Sequence, residues 1–179
     1  MRSQNGTGRS GPPRLGIDIG RVIIDGSAHP GGGDTAFFTG DEATLVATPA
    51  MPGAIETIAR LVDAFEGRVW LVSKCGPRVQ ERSLVWLRGN DFHARAGVPA
   101  GQVRFCRRRP DKRFHCEDLG LTHFVDDHPE VHSAIRGAVD HQYLFGPQRR
   151  SIPPYVQHTP TWADVERLVL ATLARSPIG

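Results

Sequence analysis

Residues 15–20, LGIDIG, decide the fold: an apolar run interrupted by one acid, Asp18, and closed by a glycine. The mostly apolar stretch over 14–19 reads as a strand buried on both faces, because a half-solvated strand would alternate apolar and polar residues. Working outward, further short apolar runs occur at 69–72, 103–106, 122–125 and 143–145, the last before Gly146 and Pro147. Amphipathic stretches lie between them. After Pro52, the residues Ile55, Ile58, Ala59, Val62 and Phe65 follow helical spacing, with Gly67 as terminator. Pro77 opens a helix containing Leu84, Val85 and Leu87, and Pro129 suits the first turn of one reaching about Arg136. Thr161 caps a last helix with Trp162, Val165, Leu168, Val169 and Leu173 on one face, and Asp164 in its first turn. Short strands alternating with helices predict an α/β fold: a Rossmann-like three-layer sandwich with a mainly parallel sheet.

The 179 residues suit one domain. Residues 1–13 lack apolar periodicity and read as a disordered leader, leaving 14–179 as the α/β domain. Within it, 26–50 carries glycines, Pro30 and the pair Phe37–Phe38, and reads as a flap or small cap insert with little regular structure. The phenylalanine pair is expected to be flap packing.

A hydrophobic fraction of 39% with 23% charged residues is that of a soluble globular protein. The net charge of +3 sits largely in the tail and in the run from Arg104 to Arg113. No aromatics interleave with Arg107–Arg109, so the composition argues against nucleic acid as a partner and favours a solvated face. That face is nevertheless placed to grip a second anionic group of a substrate. Three cysteines, Cys75, Cys106 and Cys116, form an odd set in a sequence with no signal-peptide pattern, which predicts reduced thiols and a cytoplasmic protein. No apolar run approaches the roughly 20 residues that span a bilayer, so no membrane partner is expected.

In parallel α/β sheets, ligands bind beyond the carboxyl ends of the strands. Those ends deliver Asp18, Ser73 (in VWLVSK, 69–74) and the pair Asp126–Asp127 (in HFVDDHPEV, 123–131), with Lys112 in the intervening RRPDKRF, 108–114. Phosphoryl transfer requires a carboxylate nucleophile, a hydroxyl and a cation on the phosphoryl oxygens, and further carboxylates for Mg²⁺. Two adjacent carboxylates at a strand end repel one another unless a cation is near. Lys74, beside Ser73, competes with Lys112 as the phosphate lysine, and the residues alone leave that choice open. As plainer readings, Ser73 would cap a turn and Asp126–Asp127 the helix that follows.

This order of motifs, spread over about 14–145, resembles the haloacid-dehalogenase superfamily, in its small-cap or capless phosphatase-like branch. The resemblance implies that Asp18 forms an aspartyl-phosphate and ligates Mg²⁺. It implies that Ser73 and Lys112 hold the transferring group and that Asp127, with Asp126, completes the metal site. The carbonyl of Gly20 would also reach the metal. Phosphatases of the family carry a second acid at the position of Gly20, where it protonates the leaving oxygen. Such help contributes roughly 10²–10⁴ in rate, and glycine cannot supply it. Asp25 is the nearest acid downstream.

Two functions follow as expectations. One is a Mg²⁺-dependent hydrolase of a phosphorylated small molecule or an accessible macromolecular phosphate, with weakened acid catalysis. The other is a catalytically inactive domain that binds a phosphorylated ligand or a protein partner; self-association is left open in both. Carbon–halogen hydrolysis is weaker, since that branch needs no metal. A zinc site built on His128 and His132 with Cys116 and His123 lacks the ligand spacing of known zinc motifs. A cysteine nucleophile at Cys75 lacks a partner base.

Overall fold

The structure is a computed structural model that describes residues 11–28 and 35–175, the side chains of 35 and 36 excepted. Most of the expected leader therefore lies outside the described residues, as do 29–34 of the insert.

Six parallel strands form one sheet: Leu15–Ile17 (β1), Val69–Lys74 (β2), Val103–Cys106 (β3), His123–Asp126 (β4), His141–Phe145 (β5) and Gln157–Thr159 (β6). Their spatial order is β3-β2-β1-β4-β5-β6, so the connections run one way from β1 and then the other way from β4. The order reverses between β1 and β4, which lie side by side with Ile17 opposite Val125. A crevice opens at the strand ends where such a reversal occurs. Asp18 stands just past one of these two ends and Asp126 closes the other. The expected α/β sandwich is thus present, with a sheet that is wholly parallel.

Strand alternation assigns the two faces. Leu15, Ile17, Leu71, Val125 and Tyr143 pack into one core with residues of the helices Ala54–Ala64 (α3), Pro77–Gly89 (α4), Phe92–Ala96 (α5) and Trp162–Leu173 (α8). Val72 and Phe124 point the other way, into a smaller core with Cys116 and Leu119 of the Lys112–Asp118 segment (α6 and its cap) and Val131 of Pro129–Ala134 (α7). Gly16 lies on this second face because there is no room for more: a Cβ there would sit 2.5 Å from the Phe124 ring. Local signals set the helix starts. Pro77 and Pro129 occupy first-turn positions, where no amide hydrogen is missed. Thr161 and Asp164 close a reciprocal capping box at α8.

The insert departs from expectation. Rather than a stretch with little regular structure, it holds a 3-10 turn at Gly26–Ala28 and two short helices, Thr35–Thr39 (α1) and Glu42–Val46 (α2), the second capped by Asp41. Five-residue helices are too short to show apolar periodicity, and tertiary contacts hold them instead. The Arg82 guanidinium donates to the carbonyls of Phe37 and Gly40, and Trp86 Nε1 donates to the Thr48 carbonyl at 2.8 Å. Gly89 lets α2 approach α4 closely, since a Cβ there would fall 2.6 Å from Val46 Cγ2. The insert is docked on α4. A second correction concerns 143–145, which is not the last strand; β6 follows at the sheet edge, and its three residues gave too weak a pattern to read.

Candidate active site

The carboxyl ends of β1, β2 and β4 and the start of α6 converge on a cavity of about 280 Å³. Asp18, Gly20, Ser73, Lys74, Lys112, Asp126 and Asp127 all line it. The sequence-expected site residues therefore come together in one place, though they span more than a hundred positions of the chain. Asp18 is fixed by its own amide, which donates to the Val125 carbonyl at 3.0 Å and so ties the end of β1 to β4.

Lys112 is the pivot. The residue is 1% exposed, and its ammonium lies 2.8 Å from Asp18 Oδ1 and 2.6 Å from Asp126 Oδ2. Lys74, by contrast, is exposed at the cavity rim. Asp126 is held on every side: Oδ1 accepts from the His128 amide at 2.8 Å, and its carbonyl accepts from His132 Nε2 at 3.0 Å. Asp18 is less well satisfied. Its Oδ1 is buried and touches Lys112 only as an ion pair, without a well-directed hydrogen bond.

Charge is crowded here. Burial pushes the Asp18 carboxyl upward, Lys112 opposes that shift and Asp126 adds to it. Asp127 is pushed up to about 7, first by burial and then by the Asp18 and Asp126 charges. Burial would discharge Lys112, but Asp126 and Asp18 outweigh it and hold the ammonium charged well above its ordinary range. One buried ammonium, with the Arg21 guanidinium offsetting part of the charge at Asp127, faces three carboxylates in a low-dielectric crevice, an imbalance that a divalent cation relieves.

Asp18, Asp126 and Asp127 each present an oxygen within 4.8 Å of the others. The donor set is all oxygen and anionic, and one of its atoms is an under-satisfied buried acceptor, which fits a hard cation such as Mg²⁺. It does not fit zinc. The histidines and cysteine considered for zinc are dispersed: His132 is engaged by Asp126 and by the Gln142 amide, His123 by Thr122 and Thr172, and Cys116 lies in the second core. The Cys75 thiol is pushed up to about 11 by burial and then by Asp18, so it stays protonated and is a poor nucleophile.

Gly20 leaves open space: nothing lies within 4 Å of where its Cβ would be. Asp25 does not fill the gap. Its Oδ1 accepts from the amide and hydroxyl of Ser27, at 3.2 and 2.6 Å, in a turn outside the cavity lining. Of the arginine run, Arg109 lines the cavity, while Arg108 is bound to Asp111 at 2.8 Å. Of the other cavity-lining residues, sequence reading does not single out Arg21, Val79 or Ser83, and it offers His128 only as a zinc candidate and Phe37–Phe38 only as packing. Arg21, three residues after Asp18 at the mouth of a strand end, was the one with a legible position. It adopts a φ of 61°, uncommon for a residue with a side chain.

No family model and no curated protein matches the sequence. Solved structures do match the fold. A HAD family hydrolase from Deinococcus radiodurans R1, with bound phosphate and sodium, superposes with a TM-score of 0.59 at 15% identity, covering 91% of this chain and 97% of that one. A haloacid dehalogenase-like family hydrolase from Xanthomonas campestris gives 0.62 at 11% identity, over 91% and 96%. A dehalogenase with an intermediate complex gives 0.51 at 17% identity, over 70% of this chain and 59% of that one. Among the described residues no helix is long and apolar enough to cross a membrane. In fold, the chain is an α/β domain of the kind found in haloacid-dehalogenase-like hydrolases.

Proposed function

We propose that the protein is a Mg²⁺-dependent hydrolase that cleaves a phosphate ester through Asp18. The observation that carries this reading is the convergence of Asp18, Asp126 and Asp127 on one point beside the buried Lys112. The shared fold with HAD-family hydrolases supports it, as does the phosphate bound in the Deinococcus protein.

In this reading an Asp18 oxygen attacks phosphorus. A bond forms from phosphorus to Asp18 as the bond to the leaving oxygen breaks, and that oxygen departs with the electron pair. Water then attacks phosphorus and releases a proton to solvent, balancing the one the departed oxyanion takes from solvent. The bond to Asp18 breaks with its electron pair left on the carboxylate, and inorganic phosphate and the free carboxylate result. Lys112 opposes the burial that favours the protonated Asp18 carboxyl and holds it in place, and Ser73 donates its hydroxyl to a phosphoryl oxygen. Lys74 meets the phosphoryl group from the rim. Asp18, Asp126, Asp127 and the Gly20 carbonyl would hold Mg²⁺, which when bound offsets the negative charge of the phosphoryl oxygens. The cavity volume favours a small phosphorylated molecule; a macromolecular phosphate would reach in only by its tip. Three free cysteines support a reducing, cytoplasmic setting.

A second reading draws on Gly20: a domain that keeps the metal and phosphate groups but has lost turnover. Phosphate release from an aryl phosphate and a panel of phosphometabolites separates the two. Mg²⁺-dependent release by the wild type, lost in Asp18→Asn, is the expected result. A folded protein that binds Mg²⁺ yet releases no phosphate from any substrate would overturn the enzyme reading in favour of the binding domain.

A further inference from the structure

Part of the cavity wall is apolar. Ile24 contributes from the turn after β1, Phe37 and Phe38 from α1, and Val79 from α4. Phe37 is 7% exposed and belongs to the main core, whereas Phe38 is 40% exposed. Their rings meet edge to face with centroids 5.7 Å apart, so the buried ring fixes the open one. The backbone beneath them is held too, because Arg82 grips the carbonyls of Phe37 and Gly40. A lone surface phenylalanine needs no explanation. This one stands on a pinned helix, beside other apolar side chains, on the wall of a cavity whose floor carries Asp18 and Lys112.

We infer that Phe38 forms an aromatic subsite and that the substrates are phosphomonoesters of a single-ring phenol. The inference rests on the phosphoryl-transfer reading above and names its substrate class. Two further observations bear on it. The cavity, at about 280 Å³, lies at the lower end of small-molecule sites, which suits one ring and a phosphoryl group. The open space at Gly20 provides no acid for the leaving oxygen. An aryl oxide is a weak base and departs without one, whereas an alkoxide needs a proton.

Titration calorimetry with Mg²⁺ present tests the subsite, using inorganic phosphate and two phosphonates that the site cannot hydrolyse at their carbon–phosphorus bonds, methylphosphonate and phenylphosphonate. Phenylphosphonate is expected to bind about tenfold more tightly than methylphosphonate. Phe38→Ala should remove most of that ratio and Phe38→Trp should keep it; an exposed side chain makes both changes tolerable to the fold. Equal affinities for the two phosphonates, or a ratio untouched by Phe38→Ala, would overturn the aromatic subsite while the phosphoryl reading stands. Binding of none of the three by folded, Mg²⁺-loaded protein would overturn both.

Discussion

Lys112 and Asp18 form an ion pair across 2.8 Å with side chains only 2% and 11% exposed, and the same ammonium reaches Asp126 at 2.6 Å. Removing water from such charges is costly, and only their mutual attraction offsets it.

Lys112→Met should therefore destabilise the protein by about 3–5 kcal/mol, because two buried carboxylates lose their counter-ion. Mg²⁺ should restore part of that loss, and should raise the urea midpoint more in the variant than in the wild type. Urea unfolding of both proteins, with and without Mg²⁺, measures this directly. A variant as stable as the wild type without the ion would show that Lys112 compensates nothing.

Much of this was legible in the sequence. The runs into Asp18, Ser73 and Asp126 are apolar because both sheet faces are covered, and that same coverage places each polar residue at a strand end. Lys112 and Lys74 were not separable, since a run of cations carries no mark of which one turns inward; only the packing of α6 beneath the site decides that. The insert was misread because α1 and α2 are too short for a periodic signal and depend on Arg82, Trp86 and Gly89 of another helix. Phe38 was unreadable as a cavity residue for the same reason.

Gly20→Asp should be tolerated, since the space for its side chain is open. If Asp18 is the nucleophile, the variant should hydrolyse alkyl phosphates faster by roughly 10²–10⁴, with a much smaller gain on aryl phosphates. Steady-state rates on one ester of each kind give the comparison. An inert variant that still binds Mg²⁺ would remove most support for covalent catalysis at Asp18.

Gly89→Ala should loosen the insert. Its new methyl would meet Val46 Cγ2 at 2.6 Å and Cγ1 at 2.9 Å, and the stiff, branched valine cannot swing aside. The overpacking should cost about 1–3 kcal/mol. Hydrogen exchange should speed up in Glu42–Val46 more than in the sheet. Unchanged protection there would mean that the insert does not depend on this contact.

His123 supplies a pH prediction away from the site. It is held between Thr122 and Thr172, with Nε2 2.8 Å from Thr172 Oγ1, and its ring lies 4.5 Å from that of His141. Burial, and then the His141 charge, pull its pKa from 6.5 down to about 3. Between those values the unfolded chain binds a proton that the folded chain refuses, so this residue's contribution is complete above about pH 6.5 and is lost as pH falls toward 3. By pH 5 the loss should reach about 2 kcal/mol. The raised carboxyls of Asp18 and Asp127 act in the opposite sense, so the wild-type curve alone does not isolate it. His123→Gln keeps a neutral polar group and removes the titration. Unfolding free energies at pH 7 and pH 5 should then show the wild type losing about 2 kcal/mol more than the variant. Parallel losses in the two proteins would mean that His123 takes up its proton without leaving its buried place.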